Sequence, residues 1–185
     1  MTDYKKEMIA FIVVFIVMGF QPILATIIEV PEDYSTIQAG IDASLDGDTV
    51  LVEPYTYFEN IKFNGHNLML GSLFLTTGDT SYISQTIIDG NSSGSVITCD
   101  SSENITVTIT GFKIQNGVGN ISGGGIFCYC SDPTITHNII SENGAVYGGG
   151  ICCVCSNPKI FNNIISGNSS FYGGGIFCYD SDPLI

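Results

Sequence analysis

Aromatic side chains recur on one face of two nearly identical segments, and this spacing is suited to ligand binding. Ile126 and Cys128 alternate with rings, and the same arrangement returns two repeats later. Since successive side chains of a strand point to opposite faces, inward apolar partners leave these rings directed outward. The predicted aromatic stripe consists of Phe127, Tyr129, Tyr147, Tyr172, Phe177 and Tyr179. Such rings could stack on sugars; alternatively, they only shield the sheet or pack against another part of the chain.

Seven cysteines offer thiol chemistry, and their spacing leaves three interpretations open. They cluster as Cys128-x-Cys130 and Cys152-Cys153-x-Cys155, with His137 as the nearest imidazole. Thiols packed as small apolar side chains fit best, because the cysteines recur with a fixed period. Neighbouring coils ~4.8 Å apart also fall inside the disulfide range, although side chains that point in parallel suit a bridge poorly. A metal site is the third alternative. It is disfavoured because His137 is the only imidazole nearby, so no residue is predicted to be a metal ligand.

The charge of the chain is strongly negative. Eighteen acidic residues face five lysines and no arginine, which gives a formal net charge of -13. A field of this sign repels phosphate backbones, so nucleic acid is not an expected partner. The acidic surface favours solubility and could also hold Ca²⁺; no other cofactor is predicted.

An internal repeat sets the elements that position these side chains. Gly123–Tyr147 and Gly148–Tyr172 are identical at 15 of 25 positions, and Gly173–Ile185 matches 11 of the first 13. Each copy has two runs with strand patterning, 126–130 and 134–140 in the first, separated by a Ser-Asp-Pro or Ser-Asn-Pro turn. Strands and turns that alternate with this period predict the coils of a parallel β-helix.

Stacking of such coils predicts ladders of like side chains, one coil above the next. The predicted inward ladders are Ile126, Ile151 and Ile176; Cys128, Cys153 and Cys178; Ile135, Ile160 and Ile185; and Ile139 with Ile164. The predicted turn ladders are Asn138 with Asn163 and Asn143 with Asn168. Stacked amides can bond to each other and to the turn backbone. A single coil cannot bury its apolar face, so at least three must stack.

Residues 1–25 match the layout of a secretory signal. Lys5 and Lys6 precede an uncharged apolar run over 9–20, and Ala25 supplies a small residue for cleavage. The run is short for a membrane span, which needs about 20 residues, but an uncleaved anchor is the alternative. Either interpretation predicts that the remainder of the chain is exported.

Residues 26–48 are predicted to form a first strand and a capping helix. Ser35-Thr36-Ile37-Gln38 has the pattern of a capping box, and the helix is expected over 34–45 with Ile37, Ile41 and Leu45 on one face. A helix there would cover the open end of the solenoid. Residues 49–185 are assigned to the β-helix, which stops partway through its third clear coil; we therefore expect a chain truncated at its C-terminus.

Three stretches near the start of the chain, residues 30–43, 46–52 and 57–61, together resemble the opening of pectin-lyase-like right-handed β-helix proteins. At one turn, Pro54-Tyr55-Thr56-Tyr57 stands where many relatives have Pro-Gly-Thr-Tyr. The Gly-Gly-Gly-Ile-x-Cys coils are similar to the repeats of large bacterial secreted and surface proteins of that superfamily. The resemblance covers about 27–185 and implies an all-β, right-handed parallel β-helix solenoid. It implies no single activity, because the fold hosts lyases, hydrolases, esterases, epimerases and adhesins.

The enzymatic activities of that superfamily need residues that this chain offers sparsely. Its lyases remove a proton with arginine or lysine, whereas this chain has three scattered lysines beyond residue 25. Its hydrolases use clustered aspartates, and only Asp132, Asp180 and Asp182 lie at a shared turn edge. Its esterases also need two aspartates and an arginine. No catalytic residue is therefore predicted.

The sequence thus predicts a secreted or cell-surface module that is non-catalytic and binds glycans in the manner of an adhesin. One alternative is the N-terminal part of a lyase or hydrolase of acidic polysaccharides, with catalytic coils beyond residue 185. A second is a purely structural stalk. The expected partner is a polysaccharide or a cell-surface glycan, and a membrane would be contacted only through an uncleaved segment 1–25.

Overall fold

The computed structural model describes residues 24–185, which wind into a solenoid of stacked coils. The predicted export signal lies almost wholly outside the described residues and stays a prediction. The strands are β1 (Ile27–Val30), β2 (Thr49–Val52), β3 (Thr56–Phe58), β4 (Ile61–Lys62), β5 (Met69–Ser72), β6 (Ile87–Asp89), β7 (Ile97–Cys99), β8 (Thr108–Thr110), β9 (Lys113–Gln115), β10 (Ile126–Tyr129), β11 (Thr134–Thr136), β12 (Ile139–Ser141), β13 (Gly144–Tyr147), β14 (Ile151–Val154), β15 (Lys159–Phe161), β16 (Ile164–Ser166), β17 (Ser169–Tyr172) and β18 (Ile176–Tyr179). The helices are α1 (Ile37–Ala43), α2 (Phe74–Thr77) and α3 (Ser81–Gln85).

The strands form three long parallel sheets and one short one. The first sheet has the order β1-β2-β5-β8-β11-β15, the second β4-β7-β10-β14-β18 and the third β3-β6-β9-β12-β16. The short sheet pairs β13 with β17. Coils pair at the repeat distance, since Ile126 is the partner of Ile151 and Ile151 that of Ile176. The predicted all-β parallel solenoid, with the period of the sequence repeat, is confirmed.

Each coil contains more strands than the sequence pattern indicated. The run 134–140, predicted as one strand, forms β11 and β12, which are separated by a bend at His137. His137 has a φ of +53°, a left-handed conformation that interrupts a strand. The bend shifts the alternation, so Ile140 is fully buried while Ile164 is 61% exposed. The predicted inward ladder of Ile139 and Ile164 is therefore wrong, and the pair that packs on the core is Ile140 with Ile165.

The core is a column of side chains from successive coils, and its ladders start earlier than predicted, by two coils for the aliphatic ladder and by one for the thiol ladder. The aliphatic ladder consists of Ile61, Ile97, Ile126, Ile151 and Ile176. The thiol ladder consists of Cys99, Cys128, Cys153 and Cys178. The members of each ladder before the last one are fully buried. Ile176 is half-buried and Cys178 is exposed, because no coil described here lies above them.

Asparagine amides join neighbouring coils at two corners, as the predicted turn ladders require. Asn143 Oδ1 accepts a hydrogen bond from Gly117 N at 2.9 Å. Its Nδ2 donates to Ile114 O and to Asn168 Oδ1, both at 3.0 Å. Asn138 makes the equivalent set of bonds at the other corner. Backbone groups that the strands leave unpaired at each corner are thereby satisfied.

Each Gly-Gly-Gly segment forms a corner that admits no side chain. The first glycine has a positive φ, for example +63° at Gly148, which L-residues with a Cβ rarely adopt. A Cβ on Gly125 would lie 2.5 Å from Gly150 O and 2.9 Å from Ile140 Cγ2. The backbones of successive coils therefore touch here, and glycine is required for that contact.

Helix α1 covers the N-terminal end of the core, in a shorter form than the predicted 34–45. Its N-cap is Thr36, whose hydroxyl accepts a hydrogen bond from Ala39 N at 3.2 Å, rather than Ser35. Ile37 and Ile41 are fully buried as expected, but Leu45 is exposed because the helix ends before it. Both carboxylate oxygens of Glu59 accept from the first N–H groups of the helix, which ties the cap to the first coil.

Two short helices interrupt the coil between β5 and β6. Strand β5 ends at Ser72, and α2 begins two residues later at Phe74. Gly78 ends α2 with a φ of +70°. The insertion lies outside the stack, so the sheets continue across it without loss of register.

Candidate functional site

The outward aromatic residues meet at the corner beside the Gly-Gly-Gly segments. Tyr147 ends β13 and Tyr172 ends β17, and in-register pairing brings their rings to 5.2 Å between centroids with planes 13° apart. Phe177, on the neighbouring strand β18, lies 5.0 Å from the Tyr147 ring. The structure thus joins three of the six predicted residues into one aromatic cluster.

A groove of about 320 Å³ opens along this cluster, and we name it the aromatic groove. It is lined by Ile121, Ser122, Tyr147, Val154, Phe177 and Tyr179. Tyr179 is 65% exposed and Tyr172, beside the groove, is 58% exposed, so much of each side chain is open to solvent. Contiguous exposed apolar groups of this kind mark interaction surfaces more often than isolated ones do.

Phe127 and Tyr129 stand apart from the aromatic groove. Their rings are 6.3 Å apart on β10, and neither lines the groove. The coil between them and β18 carries Cys152 and Val154 at the same positions, so the predicted stripe is interrupted after one coil. The six residues therefore form two aromatic patches rather than one continuous stripe.

Sequence reasoning missed several residues around the aromatic groove. Ser122 pairs with Tyr147, so it holds the same position one coil earlier, and stepping back one period from Tyr147 would have found it. Cys152 points outward by alternation but is fully buried, because the Gly148 corner packs against it. Burial raises the pKa of the Cys152 thiol to about 11. No pattern signalled Ile121, which lies in the irregular segment before the first triplet.

The chemistry of the aromatic groove is apolar and uncharged. None of its lining residues carries a charge, and the polar groups at its edge are the hydroxyls of Ser122, Tyr147 and Tyr179. Aromatic faces offer stacking surfaces and hydroxyls offer hydrogen bonds, a combination suited to rings with one apolar face and polar edges. The groove holds no acid–base pair or nucleophile with an activating partner.

The seven cysteines are free thiols in this structure. Buried members are Cys99, Cys128, Cys152 and Cys153, and exposed members are Cys130, Cys155 and Cys178. A hydrogen bond with Cys128, together with burial, raises the pKa of Cys153 far above its ordinary value. Cys153 therefore stays protonated, and the buried cysteines pack as small apolar groups. Within residues 24–185, no three His, Cys, Asp or Glu side chains are grouped to hold a metal ion.

Two of the three aspartates at the turn edge take part in a hydrogen-bonded corner ladder. Asp132 Oδ1 accepts from Asn157 N at 2.6 Å, and Asn157 Oδ1 accepts from Asp182 N at 2.7 Å. Asp180 lies instead near a thiol, 3.8 Å from Cys155 Sγ. Asp132, Asn157 and Asp182 therefore follow one another along a corner ladder that is joined by hydrogen bonds from backbone N–H groups to side-chain oxygens.

A buried carboxylate, Glu103, anchors the same corner one coil earlier and is 1% exposed. It accepts hydrogen bonds from Gly65 N at 2.9 Å, Ser101 N at 2.9 Å and the Ser131 hydroxyl at 2.7 Å. Burial alone would raise the pKa of Glu103, but these three donors outweigh it and lower the pKa below its ordinary value. Glu103 is therefore a structural anion.

Comparisons with known proteins agree with the architecture. A family model for the right-handed beta helix region matches residues 34–185. Searches of curated proteins and of solved structures found no match. None of the helices between residues 24 and 185 has the length and apolar character needed to cross a membrane. Since the family model covers most of the chain, this protein belongs to the right-handed β-helix family.

Proposed function

We propose that this protein is a non-catalytic, glycan-binding module that works outside the cell or at its surface. The observation that carries the proposal is the aromatic groove, in which Tyr147, Phe177 and Tyr179 present rings beside hydroxyl groups. A pyranose has one face of C–H groups and a rim of hydroxyls, and it would stack on a ring while its rim bonds to the tyrosine hydroxyls.

The ligand expected for the aromatic groove is a neutral sugar. No basic residue lines the groove to pair with a uronate or sulfate, and the net charge of -13 repels such groups. A neutral hexose polymer avoids this repulsion. The proposal therefore separates this protein from modules that hold acidic polysaccharides through lysine and arginine.

Binding to neutral and acidic oligosaccharides on a glycan array, followed by calorimetric titration of each hit, tests the proposal. We expect neutral glycans to bind, and Tyr179→Ala to weaken binding about three- to tenfold, as one aromatic contact is worth roughly 0.5–1.5 kcal/mol. Phe161→Ala is the matched control, because Phe161 is also exposed but lies on β15 in another sheet. Absence of binding, or equal effects of the two substitutions, would contradict the assignment.

The same preparation distinguishes the alternatives. Release of uronate products from polygalacturonate or alginate would replace the binding function with a catalytic one. If the protein shows neither glycan binding nor uronate release, the structural stalk is the remaining alternative. Export rests on the basic residues and the apolar run within 1–25, and mass spectrometry of the N-terminus of protein recovered outside the cells tests cleavage after Ala25.

A further inference from the structure

A second groove lies at the other end of the molecule, next to α1. It has a volume of about 540 Å³, within the range of about 300–1,000 Å³ typical of small-molecule sites. Its walls include Pro31, Pro54, Tyr55 and Phe58, and we name it the capping groove. It is separate from the aromatic groove, with which it shares no lining residue.

The capping groove is electrostatically negative. Glu53 and Glu59 both line it, while none of the lysines that the structure describes does so. The Glu59 carboxylate is held by the first N–H groups of α1, whereas the Glu53 side chain is exposed. Burial, followed by the charges of Glu53 and Glu59, raises the pKa of Tyr57 to about 12, which agrees with a negative potential there.

Aromatic faces flank these carboxylates. Tyr55 is 69% exposed and Phe58 is 68% exposed, so both rings are open to a ligand. Tyr55 is held edge-on against Tyr57, with centroids 5.6 Å apart and planes at 76°. Tyr57 is in turn fixed by a hydrogen bond from its hydroxyl to Glu53 O at 3.0 Å. A carboxylate next to accessible aromatic faces favours organic cations, because the negative faces of the rings add to the ion pair.

We propose that the capping groove binds protonated amino sugars of the glucosamine type. The ammonium group would pair with the Glu53 carboxylate, and the C–H face of the pyranose would lie on Tyr55 or Phe58. The hydroxyls of Ser35 and Thr56 also line the groove and would bond to the sugar hydroxyls. A lysine side chain offers only an apolar stem to these hydroxyls, which is why a sugar fits the lining better than a basic peptide. This inference does not rest on the aromatic groove.

Calorimetric titration of the full chain with β-1,4-linked glucosamine pentamer tests the proposal. The matched ligand is the N-acetylated pentamer, which has the same ring and length but no charge. The glucosamine pentamer is expected to bind at least about fivefold more tightly, since a unit ion pair at ~4 Å contributes about this factor even when it is fully exposed to water. Binding is expected to weaken as the pH rises through the pKa of the sugar amine.

Two variants assign the binding to this groove. Glu53→Gln is expected to weaken binding of the glucosamine pentamer about fivefold, while Glu142→Gln, the same charge change far along the solenoid, leaves it unchanged. Tyr55→Ala is expected to weaken both pentamers. Circular dichroism spectra matching that of the unsubstituted chain would show that each variant is folded. Tyr179→Ala, in the aromatic groove, should not alter this binding, so the two sites fail or succeed separately.

Three outcomes would overturn the proposal. Equal affinity for the two pentamers would remove the ion pair from the explanation. Equal losses in Glu53→Gln and Glu142→Gln would show a diffuse attraction to an acidic surface rather than a site. Binding of pentalysine without binding of the glucosamine pentamer would assign the groove to a basic peptide instead.

Discussion

Removal of the Asn143 amide should destabilise the solenoid more than its size suggests. Asn143→Ala removes the side-chain partner of the buried Gly117 N–H and one hydrogen bond each from the buried carbonyl groups of Ile114 and Ser141. Three lost hydrogen bonds at about 1 kcal/mol each give an expected loss of about 3 kcal/mol in the free energy of unfolding. Asn143→Asp should also destabilise, because it keeps the shape but turns an acceptor toward two carbonyl groups.

Asn168 provides the matched control for Asn143 one coil further on. It makes the same kind of bonds, with Nδ2 donating to Ile140 O at 2.8 Å, but it is half-buried, so water can replace them. Asn168→Ala should therefore cost only about 1 kcal/mol. Urea unfolding followed by circular dichroism measures both, with comparison of midpoints valid where the slope is unchanged. Losses of equal size, or a loss below about 1 kcal/mol for Asn143→Ala, would refute the reasoning.

Three further predictions concern the corners, the buried carboxylate and the thiols. Gly125→Ala should lower the free energy of unfolding, measured in urea, by about 3 kcal/mol, since its Cβ would meet Gly150 O at 2.5 Å. Gly144→Ala is the control and should be tolerated, because its nearest contact would be 3.3 Å. Equal losses in the two variants would contradict the close-contact argument. The pKa of Glu103 in the folded state is lowered from 4.5, so the carboxylate contributes its full stabilisation of the fold above pH 4.5 and loses it as the pH falls through the folded-state pKa. In Glu103→Gln, the free energy of unfolding should therefore fall less steeply as the pH is lowered. An unchanged pH profile would count against this role. In the native state iodoacetamide should modify only the exposed thiols, which are Cys130, Cys155 and Cys178. Peptide mass spectrometry identifies the modified sites. Modification of buried thiols before the protein unfolds would contradict the thiol ladder.

Sequence alone predicted the parts of the fold that repeat without change. The period of the repeat is enough to place Ile151 above Ile126, because the geometry of stacked parallel strands leaves no other partner for it. It did not predict the bend at His137, since the break in alternation at Ile139-Ile140 does not show which residue turns or which isoleucine faces inward. That bend is the reason why Ile140 rather than Ile139 faces the core.

The candidate sites were less predictable than the fold for a related reason. The outward direction of Phe177 and Tyr179 followed from alternation, but their meeting with Tyr147 depends on how sharply the glycine corner turns. No pattern in the sequence predicted the capping groove. Its Glu53 and Tyr55 come from a segment with no repeat, and their position next to α1 is set by long-range contacts that a local pattern does not encode.

The glycine corners restrict how a gene for such a protein can change. Since Gly125 and Gly150 are in backbone contact, a deletion of a few residues in a coil would displace every coil after it. A tandem duplication of one whole repeat instead lengthens the axis by one strand spacing, ~4.8 Å, and copies a complete set of contacts. Length in this architecture should therefore vary by recombination in whole units, while shorter insertions are confined to excursions such as the one that holds α2 and α3.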